Sequence, residues 1–368
     1  MSAHVVGLYN HPVMQIKDLG EFGVIDMLNS MVVELRSGPG NGADLGFHLK
    51  VDTGDDTAAW QAGAGIELFT TDTMVEGVHF TRTTTPWRDV GWKSMASNIS
   101  DVASMGGLPL YALVTLGLPS EMEIDDLKEL YQGMLEINNE YGAAIIGGDM
   151  VRSPVVFITV GLTGILPGPN ADRSGGQPML RSTAQTGDLL AVTGYLGGSG
   201  GGLRLMLKDG NKSARLPVPP PDHMSSEAAK YLKECHRRPH PAVVQGRMLV
   251  EAGVKTAMDI SDGLAADAGK LLRSSGLAAR IYAYKLPVHP YLKEAFPEDW
   301  LDLALHGGED YQLLFAASPE IMEHVLPLLP RPAVVVGEVL AGDSGRITIL
   351  DLQGQEVATG SAGWDHFG

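Results

Sequence analysis

The sequence predicts a two-domain protein of mixed α/β (α+β) class, and three observations lead to this prediction. The chain has 368 residues, which is more than a single hydrophobic core usually supports. Apolar residues make up 44% of the chain, which is ample for packed cores. Segments with helical and with extended patterns alternate along the second half, as they do in α/β proteins.

The first half of the chain predicts three helices and several strands. Apolar residues at helical spacing predict a helix over 21–35. An acidic first turn and a Gly-Gly stop delimit a helix over 87–105, and acidic residues also open a helix over 123–141. Strands are predicted at 49–52, 66–71, 110–118, 143–146 and 155–164.

The Pro- and Gly-rich stretch 166–178 is the predicted domain boundary. It divides the chain into an extension (1–20), an N-terminal domain (21–167) and a C-terminal domain (168–368). In the C-terminal domain, strands are predicted at 188–194, 255–260, 278–282, 312–316, 333–339 and 346–350, helices at 241–252 and 263–275, and an exposed loop at 209–226. The glycine run at 197–202 precedes a further helix and either presents N–H groups to a phosphate or allows close packing. It matches no nucleotide-binding pattern, so we leave it out of the site.

Composition restricts the classes of partner and compartment. The formal net charge is −17 and no basic stripe offsets it, which argues against nucleic acid or an anionic membrane as a partner. No apolar run is long enough to span a bilayer, and residues 1–20 lack the pattern of a secretion signal. The single cysteine, Cys235, excludes an intrachain disulfide and fits a reducing compartment. We therefore expect a soluble, cytoplasmic protein.

Six short acidic strings set among Gly, Ser or Thr are the main functional signal. They are Gly54-Asp55-Asp56, Thr70-Thr71-Asp72, Asn98-Ile99-Ser100-Asp101, Gly147-Gly148-Asp149, Asp259-Ile260-Ser261-Asp262-Gly263 and Gly307-Gly308-Glu309-Asp310. Most follow an apolar run, where a strand is expected to end in a loop. One such string alone is more often a surface turn. Carboxylates gathered from six places repel one another unless cations lie between them, and hard oxygen ligands suit Mg²⁺ that bridges phosphates. The sequence therefore predicts a magnesium-dependent enzyme that acts on phosphates.

The same strings lie within longer motifs that run in order through nearly the whole chain. The motifs are GDD (54–56), TTDTMVEGVHF (70–80), GWKSMASNISDVASMGGLP (91–109), GGD (147–149), DISDGLAADAGKL (259–271), GGEDYQLLF (307–315) and GWDHF (363–367). On these motifs the chain resembles the thiamine-monophosphate kinase family. That family belongs to a superfamily with aminoimidazole ribonucleotide synthetase, selenophosphate synthetase and a hydrogenase maturation factor.

The resemblance implies a fold and a reaction. The N-terminal α/β domain is expected to pair its sheet with that of a second subunit, so that a homodimer forms a β-barrel. The active site is expected in the cleft between this domain and a C-terminal α/β domain. The implied reaction transfers phosphate from ATP to thiamine phosphate and gives thiamine diphosphate and ADP.

The resemblance also implies roles for individual residues. The implied magnesium ligands are Asp56, Thr70, Thr71, Asp72, Asp101, Asp149, Asp259 and Asp262, of which Asp72, Asp101 and Asp149 are the central, catalytic ones. The implied ATP contacts are Tyr131, Gly148, Asp149, Arg181 and Ser261. The implied thiamine phosphate contacts are His79, Glu309 and Trp364, and an aromatic face suits a thiazolium cation. On this assignment, Asp149→Asn abolishes turnover and leaves the protein folded.

Four of these side chains have a structural interpretation that the sequence leaves open. Tyr131 fits the edge of a core, and His79 fits a buried structural histidine. Arg181 fits a surface ion pair with Asp188, and Trp364 fits a packing anchor for the C-terminus.

The chain departs from the family pattern at three places. Residues 150–153 read Met-Val-Arg-Ser and lack two hydroxyls that the family places beside the nucleotide. The segment 172–180 is longer than usual, and residues 1–20 have no counterpart. Two other functions therefore stay open: a related enzyme with another acceptor, such as the amidine-forming ligase of the purine pathway, and a non-catalytic nucleotide-binding protein.

Overall fold

The computed structural model describes residues 14–36, 49–51, 59–60, 66–167, 177–207 and 224–357. The helices are α1 (Ile16–Arg36), α2 (Trp87–Ser104), α3 (Ile124–Tyr141), α4 (Gly198–Met206), α5 (Ser226–Arg237), α6 (Val243–Glu251), α7 (Leu264–Ser275), α8 (Pro290–Ala295), α9 (Trp300–His306) and α10 (Pro319–Val325). The strands are β1 (Leu49–Val51), β2 (Ala59–Trp60), β3 (Ile66–Val75), β4 (Leu108–Leu118), β5 (Ala144–Arg152), β6 (Phe157–Leu166), β7 (Leu189–Val192), β8 (Thr256–Asp259), β9 (Ala278–Tyr282), β10 (Leu313–Ala317), β11 (Val334–Leu340) and β12 (Ile347–Leu350). No helix among these residues is long and apolar enough to cross a membrane.

The N-terminal domain is a four-stranded sheet, in the order β3-β6-β4-β5, with α2 and α3 packed against one of its faces. Side chains alternate between the faces of a strand, so every second residue of β6 points into the core. Ile158, Val160 and Leu162 are fully buried in this way. Phe69 belongs to the opposite face and is 73% exposed. One face of the sheet is therefore open.

Helices α2 and α3 approach each other closely because glycine lies at their crossing. A Cβ atom on Gly91 would be 1.8 Å from the carbonyl oxygen of Leu130, and one on Gly133 would be 1.8 Å from that of Arg88. Only a residue without a side chain fits at either point. This packing fixes the position of α2, which supplies side chains to the site described below.

The C-terminal domain is a six-stranded mixed sheet in the order β12-β9-β11-β7-β10-β8. Its central strands are covered on both faces. Leu190, Val192 and Leu314 belong to one fully buried cluster, while the neighbouring Ala191 and Phe315 belong to another. The described part of the chain thus forms two mixed α/β domains. In that part β1 and β2 form a separate two-stranded sheet, both larger sheets have free edges, and neither of these two closes into a barrel.

Helix α2 also joins the domains. Trp92 Nε1 donates to the carbonyl oxygen of Pro239 (2.8 Å), and Arg237 Nε donates to that of Thr84 (2.7 Å). Helix α6 packs closely against the end of α2. A Cβ atom added to Gly246 would lie only 2.2 Å from the Ala103 carbonyl oxygen. Helix α2 therefore lies at the contact between the two domains.

Most predicted elements are present within a few residues of their expected bounds, but the structure corrects three expectations. The predicted strand 143–146 continues to Arg152, so Gly147-Gly148-Asp149 lies inside β5 rather than in a loop. Thr70, Thr71 and Asp72 likewise lie in the middle of β3. Helices α5, α8, α9 and α10 were not predicted, and α5 begins at Ser226, where a loop was expected; residues 209–223 of that loop lie outside the described residues.

The extension of β5 has a local cause. Strand β5 pairs in parallel with β4 as far as Arg152, and it approaches β4 so closely that a Cβ on Gly148 would be 1.9 Å from the Val114 carbonyl oxygen. Glycine therefore continues the strand here, although a Gly-Gly pair in a sequence is more often a turn signal.

Candidate active site

Helix α2 presents a polar stripe to the covered face of β3. Lys93, Ser97 and Asp101 follow at intervals of four residues, and Ser100 lies three residues after Ser97, so all four share one side of the helix. The Thr70 hydroxyl donates to Asp101 Oδ2 at 2.5 Å. The Asp72 carboxylate interacts with Ser97 and, electrostatically, with Asp101. Three of the predicted magnesium ligands, Thr70, Asp72 and Asp101, are thus brought together.

The C-terminal domain adds Asp259 to this group. Asp259 ends β8, and its Oδ2 accepts a hydrogen bond from the α2 residue Ser100 at 2.9 Å. Its carboxylate is buried and repelled by that of Asp101, while the cation of Arg181 interacts favourably with both. The candidate site therefore contains predicted ligands from both domains and a predicted phosphate contact beside them.

Burial raises the pKa values of these carboxyl groups. The pKa of Asp101 is raised to about 6, chiefly by burial and further by the charge of Asp72. The pKa of Asp259 is raised to about 7, chiefly by burial and further by the charge of Asp101. The pKa of Asp72 is raised by burial as well. Carboxylates kept this close in the absence of a cation hold protons more tightly than usual.

The loop after β8 is held by a buried carboxylate that the sequence did not single out. Asp267 Oδ2 accepts hydrogen bonds from the backbone N–H groups of Ser261 (3.0 Å) and Asp262 (2.9 Å). Lys270 forms ion pairs with both Asp267 and Asp262. Asp267 and Lys270 thereby fix the predicted nucleotide contact Ser261 and the predicted ligand Asp262.

Glu309 lies at the same cleft in a strained loop. Its backbone φ angle is 63°, and that of Tyr311 is 50°. Residues other than glycine rarely adopt such values. The Glu309 N–H donates to the Ser261 carbonyl oxygen at 2.7 Å, which joins this loop to the one after β8. Glu309 also interacts electrostatically with His79, a second predicted substrate contact.

His79 has a defined tautomer. Its Nδ1 accepts a hydrogen bond from the backbone N–H of Val75 at 3.0 Å, so in the neutral imidazole the proton is on Nε2. The ring interacts electrostatically with Asp72 as well as with Glu309. His79 and Glu309 are therefore both near the carboxylate cluster.

The remaining predicted residues are placed elsewhere or lie outside the described residues. Thr71 and Asp149 are exposed, and the strand register puts Asp149 in one row with Thr115, Thr159 and Thr73, on the open face of the sheet. Tyr131 lies in the core of the N-terminal domain, and burial raises its pKa to about 12. Gly148 lies next to Asp149 in β5. Asp56 and Trp364 lie outside the described residues.

Comparison with known proteins identifies the family of this chain. The AIR synthase related protein family matches with its N-terminal domain over residues 54–166 and its C-terminal domain over 185–350. Thiamine-monophosphate kinase of Bacillus subtilis is 33% identical over 327 residues, which are 87% of this chain and 95% of the relative. The enzyme of that name from Aquifex aeolicus is 34% identical over 357 residues, 96% of this chain and 100% of the relative.

The chain belongs to the thiamine-monophosphate kinase family.

Two solved structures of this family share the fold. The thiamine-monophosphate kinase of Stenotrophomonas maltophilia superposes with a TM-score of 0.72 at 31% identity and covers 92% of this chain and 98% of its own. AaThiL, complexed with AMPPCP and TMP, superposes with a TM-score of 0.69 at 30% identity and covers 97% of this chain and 100% of its own. The mixed α/β architecture in two domains is therefore that of the family.

The donor atoms suit the divalent cation that the family resemblance implies. Asp72, Asp101 and Asp259 supply carboxylate oxygens, and Thr70 supplies a hydroxyl, which are the hard ligands that Mg²⁺ prefers. Within the described ranges, no three acidic, His or Cys side chains converge tightly enough to hold an ion alone. In proteins, Mg²⁺ usually takes one or two carboxylates and completes its shell with phosphates and water.

The raised pKa values predict how the stability of the metal-free protein depends on pH. In the unfolded chain these carboxyl groups lose their protons near the ordinary pKa of 3.8, whereas folded Asp259 keeps its proton until about pH 7. The folded state thus binds more protons between these values, so its free energy of unfolding falls as pH rises from roughly 4 to roughly 7. In Asp259→Asn this fall is expected to be smaller. Urea unfolding of chelated protein across this range measures it.

The control for this prediction is Asp343→Asn, which removes a carboxylate that is 86% exposed in the same domain. Its pH profile should match that of the wild type. A profile for Asp259→Asn as steep as that of the wild type would contradict the assignment of the pH dependence to this buried group.

Sequence reasoning missed the residues that support the site. Asp267, Lys270, Lys93 and Ser100 all lie in the quoted motifs, but their roles depend on partners that are remote in the chain or on a helix face. Lys93 is the one cationic residue in the predicted helical segment 91–105, and this was the one available signal, since buried lysines are rare unless paired.

Proposed function

We propose that this member of the thiamine-monophosphate kinase family transfers the γ-phosphoryl group of ATP to thiamine phosphate and forms thiamine diphosphate and ADP. The observation that supports this most directly is the meeting of Asp101 from α2 and Asp259 from β8, with Arg181 beside them, at the cleft between the domains. The names of the relatives and the ATP analogue and TMP in AaThiL agree with the proposal.

Magnesium is part of the proposal. Asp72, Asp101 and Asp259 are the residues that would hold it, together with Asp262 and the hydroxyl of Thr70. Bound Mg²⁺ supplies charge neutralisation between the phosphates of donor and acceptor. The carboxylates of this chain then lose their protons, because a cation favours their charged form.

The acceptor needs no general base. A phosphate monoester has its second pKa at about 6, so its oxygen is largely ionised near neutral pH and attacks directly. The contribution of the chain is to align two anionic groups in line and to keep Arg181 and the carboxylate-bound cations beside them. In this proposal, the cationic part of the acceptor lies near His79 and Glu309.

The experiment that tests the function is the conversion of thiamine phosphate by the purified full chain. ADP and thiamine diphosphate are followed by chromatography with ATP and Mg²⁺, with and without thiamine phosphate. Equal amounts of both products support the kinase. Nucleotide binding without thiamine diphosphate formation would instead favour a relative with another acceptor or a non-catalytic protein.

A homodimer and a cytoplasmic location also belong to this proposal. The open face of the N-terminal sheet exposes apolar side chains on three strands, which is a feature of protein interfaces. Phe69 is 73% exposed, Leu113 48% and Val151 42%. The second sheet of a homodimer would cover them, and it would bring a partner against Asp149 and Thr71. The cytoplasm is proposed because ATP is available there and a lone cysteine suits it.

Phe69→Asp is expected to convert the dimer into a monomer, because each copy would bury an unpaired charge in the interface. Sedimentation or light scattering at micromolar concentration measures the mass. Leu352→Asp, at a site 70% exposed near the end of the described C-terminal domain, is the matched control and should leave the mass unchanged. A dimeric Phe69→Asp variant would place the interface elsewhere.

A further inference from the structure

Lys93 is among the largest fully buried side chains in the described part of the protein, and its ammonium group faces the loop that carries Glu309. The side chain is 1% exposed. Its Nζ lies 2.7 Å from Glu309 Oε2 and 3.3 Å from His236 Nε2. Because it is enclosed in this way, Lys93 has no surface with which to contact a substrate. Any effect that it has on the reaction is therefore indirect, and Glu309 is its nearest contact at the cleft.

Lys93 is the principal cationic partner of Glu309. Burial, together with the charge of Lys93, lowers the pKa of His236 to about 3, so this ring is neutral near pH 7. An ammonium group only donates, so the Nε2 of His236 accepts from Lys93 and its proton is on Nδ1, 3.0 Å from Ser199 Oγ. Burial would raise the pKa of Glu309, but the charge and hydrogen bond of Lys93, together with contributions from His236 and His79, hold that pKa below its ordinary value.

The backbone around Glu309 is strained and held at several points. Glu309 and Tyr311 both have positive φ angles, and such conformations persist only where the surroundings enforce them. The Tyr311 N–H donates to the Ile260 carbonyl oxygen at 2.9 Å. The carboxylate of Asp310 accepts from the N–H groups of Gly197 (2.7 Å) and Ser199 (3.1 Å). The backbone and Asp310 are thus fixed within the C-terminal domain, whereas the carboxylate of Glu309 is fixed by Lys93 from the N-terminal domain.

We propose that Lys93 is a positioning residue. From the N-terminal domain, it orients the Glu309 carboxylate of the C-terminal domain toward the cationic part of the acceptor, and it thereby strengthens the binding of the acceptor. This inference rests on the proposed kinase function. A carboxylate held by a buried ammonium keeps its charge and direction before the substrate arrives, so little ordering remains to be done on binding. Without Lys93, the carboxylate, which is 29% exposed, is free to rotate toward water.

The test is a comparison of Michaelis constants for the two substrates in Lys93→Met. The KM for thiamine phosphate is expected to rise about tenfold or more, which corresponds to about 1.4 kcal/mol of binding. The KM for ATP is expected to stay within about twofold. The matched control is Lys128→Met, which removes an exposed lysine of the same domain that pairs with Asp125 at 3.0 Å. An unchanged KM for thiamine phosphate, or equal rises in both KM values, would overturn the proposal.

A double-mutant cycle keeps the test decisive if Lys93→Met folds poorly. Lys93→Met combined with Glu309→Gln leaves no unpaired buried charge, so it is the better tolerated variant. The double variant and Glu309→Gln alone are expected to have the same KM for thiamine phosphate, because Lys93 acts through Glu309. Different KM values in these two variants would show that Lys93 acts by another route.

A third measurement separates this inference from the function itself. If the wild type forms thiamine diphosphate, the KM values decide whether Lys93 positions Glu309. If it does not, the kinase proposal fails, and the mobility of the Glu309 side chain, followed by NMR on protein with labelled glutamate, decides whether Lys93 holds the carboxylate. The Glu309 side chain is expected to be more mobile in Lys93→Met than in the wild type or Lys128→Met. Unchanged mobility of this side chain would overturn the positioning role.

Discussion

Asp101→Asn is expected to lower kcat for thiamine diphosphate formation by about 10³-fold or more. This carboxylate lies between Asp72 and Asp259 and accepts the Thr70 hydroxyl at 2.5 Å, so its charge is central to any bound cation. An amide keeps the shape of the side chain but removes the negative charge. Preorganised charge stabilisation is usually the largest single contribution to such a reaction, and its loss costs about 10²- to 10⁵-fold. Steady-state kinetics at saturating ATP and Mg²⁺ measures this loss.

The control for Asp101→Asn is Asp125→Asn, which changes an 87% exposed carboxylate of the same domain. This variant should keep kcat within about twofold of the wild type, since surface changes away from a site are usually small. The Asp101→Asn protein should also keep its thermal midpoint or gain stability, because its buried charge is removed. A folded Asp101→Asn enzyme with kcat within tenfold of the wild type would remove Asp101 from the catalytic group.

Gly91→Ala is expected to destabilise the protein by about 3 kcal/mol or more, or to prevent its soluble accumulation. The added methyl group would lie 1.8 Å from the carbonyl oxygen of Leu130, a backbone atom that cannot rotate away. Helices α2 and α3 would have to separate, and the fully buried side chains between them, such as Met95 and Leu127, would lose contacts. The midpoint of urea unfolding, with its slope, measures the change.

Gly269→Ala is the matched control, because it is also a helical glycine replaced by alanine. A Cβ there would meet its nearest neighbour, the Gly345 carbonyl oxygen, at 3.6 Å, which is an ordinary contact. Alanine favours a helix over glycine by about 1 kcal/mol, so this variant is expected to be neutral or slightly stabilised. Equal destabilisation of both variants would mean that the crossing of α2 and α3 is not the tight point described above.

The two domains and most of their strands were predictable because they depend on local patterns. The strand over 278–282 and the helix over 87–105 follow from periodicity and from stop signals near their ends. Helix α5 was missed because its apolar positions are few among charged residues, and its N-cap Ser225, which accepts from Ala228 N–H at 3.2 Å, lies beside a Pro-rich segment. Strand β5 was cut short because Gly147-Gly148 resembles a turn until β4 is placed beside it.

The candidate site shows the same division between features that local sequence patterns determine and features that tertiary contacts determine. Sequence by itself determined the chemistry: acidic strings in order along the chain, their hydroxyl neighbours and the family to which they belong. Tertiary structure decided which of them meet. It joins Asp72, Asp101 and Asp259, and the register of β3 and β5 sends Thr71 and Asp149 to the other face of the sheet.

The ion pair between buried Lys93 and Glu309 also became visible only in the fold, since the two residues are 216 positions apart. The physical reason is that a residue type and its neighbours fix local conformation and possible chemistry. Distance and burial, which determine charge interactions and pKa values, exist only once remote segments pack together.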